Sequence, residues 1–552
     1  MPPRPVIIPH RRALRVRSPA PSGRRRFSRA RQGDAARRAK GAMLNFRRQG
    51  LEGHHRPGGD FQTANNSSEG RKMNVLATSG NGTLMDAHEN MQRLLELQRA
   101  AHFAAGPLKA AQRVDWLDRL IGLMVDFQSE IADAVSEDFG GRSREATLMA
   151  DVFAVVSSLK LAKAGVAEWM QPQAHEGIFP DAEARVEHVP LGVVGLMSPW
   201  NFPFNLTFAP LAGIVSAGNR CLVKPSEFTP VSSALMARMV ASAFDPSEIA
   251  VVTGGADVAQ AFASLPFDHL LFTGGGSVAR HIMRAAADNL VPVTLELGGK
   301  CPVIVSADAS IADAAARIMT IKSLNAGQIC LAPDYVLLPD GRVDSFVEEA
   351  SKAIAAMYPT LAANPDYTSI INARHFDRLQ GYLADARAKG ASLVELNPAG
   401  ESFDVNSCRI PPTLVIGATD DMKIMQDEIF GPLLPVRTYG AIDEAISYVN
   451  GKPTPLALYY FGGGEEEQRV LDRTRSGGVT VNDVMTHAFA ENLPFGGVGP
   501  SGSGAYHGKA GFLNFSHARS IYRQSKMIEA EYMIRPPFGE AMRQFLSAAI
   551  SR

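Results

Sequence analysis

Between residues 192 and 297 the chain repeats one unit: a short, largely apolar run followed by a stretch with helical spacing. The runs fall at 192–198, 220–224, 249–253, 269–273 and 293–297, with helices expected over 206–217, over 231–243, and after residues 253 and 273. A strand that is apolar along its whole length must be covered on both faces, and strands joined through helices run parallel. The segment therefore predicts an α/β fold with a parallel sheet between helical layers. Ligands of such sheets settle beyond the carboxyl ends of the strands, which directs attention to the residues just after each run.

The flanking regions are consistent with that class. Met91, Leu94, Leu95, Leu97 and Ala101, then Trp116, Leu117, Leu120, Ile121 and Met124, approximate helical spacing within 85–170. Residues 184–190 alternate as an exposed strand, and with 177–180 predict a hairpin arm. A second α/β stretch runs over 302–481, with helices at 311–323 and 343–357 and a strand at 335–338; the tail from 485 is rich in Gly, His and aromatics. A length of 552 residues leaves room for two or more domains.

Charge is unevenly spread. Residues 1–72 hold about +14 and the remainder about −14, although the whole chain sums to zero. An acidic body offers no field for nucleic acid. The basic leader is rich in Arg, Pro, Gly and Ser and reads as disordered. Three origins stay open for it: translation upstream of a true start at Met43 or Met73, an acid-poor presequence, or a nucleic-acid-binding arm. Pro2, Pro3, Pro5, Pro9, Pro19 and Pro21 break the long amphipathic helix a transit peptide wants. No run of about 18 apolar residues predicts a membrane helix. Cys221, Cys301, Cys330 and Cys408 are scattered without a CxxC pair, so neither a disulfide framework nor a metal site is expected, and the compartment reads as the reducing cytoplasm.

Five short segments carry chemistry-bearing residues. Ser198-Pro199-Trp200-Asn201-Phe202-Pro203 follows the first strand; Asn201 is placed to donate to a developing oxyanion, or is a turn residue held between prolines. Lys224-Pro225-Ser226-Glu227 ends the next strand and offers a cation and a carboxylate to a ribose, or is a solvated loop. Gly274, Gly276 and Ala279 fit G-x-G-x-x-A at a helix start, a weak pyrophosphate signal that also involves Gly275 and Ser277. Glu296 is a lone carboxylate in an apolar strand; burial raises its pKa and suits a general base, unless it pairs with a buried cation such as Lys300. Cys330, in a Gly-containing loop after a helix, is a nucleophile if accessible and an inert core thiol if not.

Taken together these segments resemble one family. Trp200 to Pro203, Lys224 to Glu227, Leu295-Glu296-Leu297-Gly298-Gly299-Lys300, Asn325 to Cys330, Glu428-Ile429-Phe430-Gly431-Pro432 and Leu493 to Val498 occur in the order of the aldehyde dehydrogenase motifs, over about 85–525. Pro203 to Thr207, Cys330-Leu331-Ala332-Pro333-Asp334-Tyr335 and Tyr506-His507-Gly508 are similar to the class 3 branch, which acts on fatty and aromatic aldehydes, and within it to the bacterial coniferyl aldehyde dehydrogenases.

The resemblance implies a dinucleotide-binding domain over 85–297 with an oligomerisation hairpin at 176–190, a catalytic domain over 298–485, and an oligomerisation segment over 486–525. It implies Cys330 as nucleophile, Asn201 and the Cys330 backbone N–H as oxyanion donors, and Glu296 as the base that activates water, with Glu428 the alternative. It assigns Trp200, Lys224, Ser226, Glu227, Gly274, Gly275, Gly276, Ser277, Glu428 and Phe430 to NAD, with NADP also accepted. Glu227 would repel a 2′-phosphate. Expected partners are a small aldehyde and a second copy of the chain in a homodimer, with neither nucleic acid nor membrane. Two departures stand out: the hydroxyls of the usual Gly-Ser-Thr are absent at 275 and 276, and the tail is polar where membrane-anchored members are apolar. Two competing functions are reduction of an acyl phosphate or thioester, whose enzymes generally lack the water-activating Glu, and a non-catalytic protein on the same fold.

Overall fold

The computed structural model describes residues 84–177, 179, 181–526 and 535–551. The basic leader over 1–72 lies outside the described residues. Helices Leu84–Ala105, Ala110–Asp126, Gln128–Phe139 and Ala154–Trp169 occupy the expected helical region. In the first, Ala87, Met91, Leu94, Leu95 and Gln98 form the buried face, whereas Leu97 is 40% exposed because it falls off that stripe.

Strands β1 (Gln173–His175) and β2 (Glu183–Pro190) form the hairpin, so the partner of the long strand lies just before the expected 177–180. Residues 178 and 180 of that expected strand lie outside the described residues. Then β3 (Val193–Met197), β4 (Arg220–Lys224), β5 (Ile249–Val251), β6 (His269–Thr273) and β7 (Val293–Glu296) pair in parallel, with a helix after each of the first four. Alternation decides which core each residue enters. Val193, Met197, Leu222, Leu270 and Phe272 pack under the first helix, and Val194, Leu196, Cys221, Val223 and Leu271 pack against the opposite helical layer. Both faces are dry, as the continuous apolar runs require.

A seven-stranded sheet follows: β8 (Pro302–Val305), β9 (Tyr335–Pro339), β10 (Ser392–Glu395), β11 (Thr413–Ile416), β12 (Leu433–Tyr439), β13 (Ala457–Phe461) and β14 (Gly478–Val481), in the order β10-β11-β12-β9-β8-β13-β14. All neighbours are parallel except β10 with β11. The tail then returns to both earlier sheets. β15 (Gly502–Ser503) runs antiparallel beside β7, with Gly502 opposite Glu296. A Cβ on Gly502 would stand 2.4 Å from the Leu295 carbonyl, and its φ of 152° favours glycine. β16 (Ser516–Arg523) pairs with β2 along its whole length, completing a three-stranded sheet. No helix among the described residues is long and apolar enough to cross a membrane, and no group of three or more His, Cys, Asp or Glu among them could hold a metal ion.

Candidate active site

The Cys330 loop is built from an interrupted helix. After Ile311–Ser323, three consecutive residues take left-handed backbone, Asn325 (φ 50°), Ala326 (φ 50°) and Gly327 (φ 68°). Two of them carry side chains, so the loop is strained and needs its surroundings to hold it. A Cβ on Gly327 would meet the Gly431 carbonyl at 2.3 Å. The fully buried Gln328 is the clamp. Its Nε2 donates to the Asn325 and Ser369 carbonyls at 3.0 and 3.1 Å, and its Oε1 accepts the Ile371 N–H at 3.0 Å. Asn201, 3% exposed at the end of β3, donates from Nδ2 to the Gln328 carbonyl at 3.1 Å, which fastens the oxyanion candidate to the thiol loop.

Cys330 is half-buried. Burial, then the nearby carboxyls of Glu428 and Glu296, push its thiol up to about 12. At rest the sulfur is therefore a neutral thiol. Glu296 closes β7 at 2% exposure, and neither carboxyl oxygen has a hydrogen-bond partner among the described residues. Desolvation holds its carboxyl well above the usual range. Glu428 is half-buried; a Cβ on Gly298 would overlap its Oε1, so glycine is required for the carboxyl to lie there. Burial first, then Asp334, raises Glu428 to about 8.

Lys300 is not the partner of Glu296. Its ammonium pairs with buried Asp334 and donates to the Ile424 and Asp427 carbonyls at 2.7 and 2.9 Å, while Asp334 accepts the Ile429 N–H at 2.9 Å. Glu296 closes β7 with no cation paired to it among the described residues, and Lys300 instead ties the strand-end loop to the segment carrying Glu428. Lys300→Met takes the paired ammonium away from buried Asp334 and is expected to cost about 3–5 kcal/mol of stability, read as a lowered urea midpoint. A loss below about 1 kcal/mol would show that the pair is not holding this junction.

The ends of β3, β4 and β6 supply the remaining residues. Lys224 is buried; its Nζ donates to the Pro225 carbonyl at 2.8 Å and lies 3.8 Å from exposed Glu227. Ser226 Oγ accepts the Phe228 N–H at 3.2 Å, closing the turn between them. The helix Gly276–Asp288 begins with Gly275 as N-cap and no side-chain cap, so its first N–H groups are unpaired by side chains. Nothing lies within 4 Å of where a Cβ on Gly275 or Gly276 would sit, and Ser277 is exposed beside them. Gly274 is tighter, since a Cβ there would meet the Phe272 ring at 2.6 Å. Thr273 Oγ1 is buried without a partner among the described residues. An open glycine cradle on a helix N-terminus, an orphaned hydroxyl and a buried Lys fit the phosphates and riboses of a dinucleotide. Trp200 and Phe430 meet edge to face at 5.4 Å.

Asn201, Glu296, Cys330 and Glu428 thus converge. Lys224, Ser226 and Glu227 at the end of β4, and Gly274 to Ser277 at the end of β6, lie on the two strands that flank β3. Sequence reasoning missed Gln328 and Thr273. The first stood inside the quoted thiol motif, two residues before Cys330; nothing distinguished the second from an ordinary strand residue.

Residues 67–521 match the aldehyde dehydrogenase family. Over 465 residues the chain is 56% identical to the coniferyl aldehyde dehydrogenase of a Pseudomonas species, covering 84% of this chain and 97% of that one. The substrate-bound aldehyde dehydrogenase structure from Staphylococcus aureus superposes with a TM-score of 0.78 at 34% identity, covering 84% and 99% of the two chains. A Mycobacterium tuberculosis aldehyde dehydrogenase complexed with NAD+ gives 0.71 at 25% identity, covering 79% and 90%.

Proposed function

The chain belongs to the aldehyde dehydrogenase family and carries out NAD(P)-dependent aldehyde oxidation, and on that premise we propose that it oxidises an aromatic aldehyde of the coniferyl type through a thioester on Cys330. The observation that supports the residue assignment is that two carboxyls of raised pKa act on the Cys330 thiol, while the Asn201 amide is fastened to the same loop. The substrate assignment draws on the 56% identity to an enzyme of that name.

The neutral Cys330 thiol attacks only as its proton leaves, and Glu296 and Glu428 are the neighbouring groups able to take it. The oxyanion that forms is stabilised by the Asn201 amide and the Cys330 N–H, donors already fixed in place. A bound dinucleotide would supply the two-electron acceptor for the hydride that leaves the adduct's carbon, and loss of that hydride leaves Cys330 acylated as the thioester. Glu296, once any proton taken from the thiol has passed to solvent, then draws a proton from the water that hydrolyses the thioester. Its desolvated carboxyl is a stronger base than an exposed one would be. Lys224, Ser226 and Glu227 would hold the adenosine ribose, Gly274 to Ser277 the pyrophosphate and Glu428 the nicotinamide ribose, and Trp200 and Phe430 would contribute to the same site.

On this reading the six-stranded sheet is the dinucleotide domain, the seven-stranded sheet the catalytic domain, and the sheet of β1, β2 and β16 the oligomerisation arm of a cytoplasmic homodimer. The test is a panel of coniferyl, benzyl and long-chain aliphatic aldehydes compared by kcat/KM. A preference for the aliphatic series rejects the substrate assignment.

Glu227 also sets an expectation for cofactor choice. Its exposed carboxylate beside Lys224 repels a 2′-phosphate and favours NAD. Glu227→Gln is expected to raise the NADP-to-NAD ratio of kcat/KM by about tenfold, the equivalent of about 1.4 kcal/mol. An unchanged ratio would remove Glu227 from cofactor discrimination.

A further inference from the structure

Behind the Asn201 loop lies a buried ion pair that the mechanism does not use. Arg142 follows Gly140 (φ 63°) and Gly141 (φ 131°), which turn the chain out of the helix Gln128–Phe139. Its side chain is 1% exposed and that of its partner Asp151 is fully buried. One arm of the guanidinium, Nη2, donates to Asp151 Oδ2 at 2.9 Å; the other, Nη1, donates to the main-chain carbonyl of Asn201 at 2.8 Å. The second carboxylate oxygen of Asp151 accepts the N–H groups of Phe204 and Asn205 at 3.1 and 3.0 Å. The Phe202 ring packs against the guanidinium, 4.6 Å from centroid to Cζ. One ion pair therefore grips the loop on both sides of its turn.

Asp151 sits in a six-residue π-helix, Leu148–Phe153, a distortion that recurs at functional sites. A buried ion pair is a weak source of stability, because desolvation offsets the attraction. What this one supplies is position. The Asn201 carbonyl also accepts Asn325 Nδ2 at 3.1 Å, so the Asn201 peptide is fixed from the thiol loop and from the helical layer together.

We propose that Arg142, held by Asp151, is a positioning residue that aims the Asn201 side-chain amide at the oxygen of the attacked carbonyl. The proposal rests on the reading of Asn201 as oxyanion donor. Arg142→Lys keeps a charge for Asp151 but replaces the two-armed fork with a single point donor. It is expected to lower kcat by about 10- to 100-fold, with aldehyde KM and dinucleotide Kd held within about 3-fold. In an Asn201→Ala background the same change is expected to cost less than about 2-fold more, since the group it positions is gone. If Arg142→Lys does not fold, Arg142→Met with Asp151→Leu removes both charges and is measured the same way after its Tm verifies the fold. Wild-type kcat in the variant, or losses that simply multiply in the combined variant, would overturn the proposal. If Asn201→Ala alone keeps wild-type kcat, the oxyanion reading fails and this proposal falls with it. A low kcat for Asn201→Ala beside wild-type kcat for Arg142→Lys overturns this proposal alone.

Discussion

Cys330→Ser is expected to lower aldehyde oxidation by at least about 10⁴-fold while leaving the fold and dinucleotide binding intact. The change is nearly isosteric in a half-buried loop, so the strained turn at Asn325 and Ala326 and the Gln328 clamp survive it. What changes is the acidity of the nucleophile. Burial and two carboxyls already push the thiol up to about 12, and a hydroxyl in the same surroundings is harder still to deprotonate. Neither Glu296 nor Glu428, with raised pKa values, can make up that gap. The measurement is dinucleotide reduction followed by absorbance, with binding followed separately by fluorescence quenching. Turnover within tenfold of the parent would reject the assigned nucleophile. Cys301, whose Sγ contacts the Cys330 carbonyl at 3.4 Å, would then be the next thiol to remove.

That loop illustrates what is legible in a sequence of this kind. Short, largely apolar runs locate β3, β4, β6 and β7 because a strand covered on both faces leaves few positions facing water, and its polar residues gather mainly at its ends. Once the strand ends are known, Asn201, Lys224, Gly274 to Ser277 and Glu296 follow as the residues just beyond or at them. The left-handed turn before Cys330 leaves a weaker trace, since Ala326 in its middle gives no sign of positive φ and Asn325 gives only a weak one beside Gly327.

The rest depends on pairings between distant parts of the chain. β16 joins β2 across more than 300 residues, and the two-residue β15 beside Glu296 carries no alternation to betray it. Lys300 was offered Glu296, four residues away in sequence; its partner is Asp334, brought near because β8 and β9 are neighbours. Arg142 and Asp151 look like ordinary surface charges at the start of a helical stretch. Only the fold reveals that both face inward onto the loop bearing Asn201.

Glu296→Gln is expected to stall the enzyme after acyl transfer. The first equivalent of reduced dinucleotide should form as a burst, steady turnover should fall by about 10²–10⁴-fold, and mass spectrometry should find the acyl group on Cys330. The reason is that Gln keeps the shape of the group but cannot accept a proton from water. The same substitution carries a stability signature that separates it from a mere packing change. The folded carboxyl has its pKa raised by desolvation, so between its ordinary value of 4.5 and the raised one the folded state binds the proton more tightly than the unfolded state does. Stability from this group therefore falls as pH rises through that window, and Gln removes the loss. The variant should melt progressively higher relative to the parent as pH is raised above 4.5, while the acid limb of the parent's kcat profile disappears. Free thiol under turnover, with no acyl adduct, would move the base elsewhere. Glu428, with its carboxyl raised to about 8, is the group that would then have to supply it.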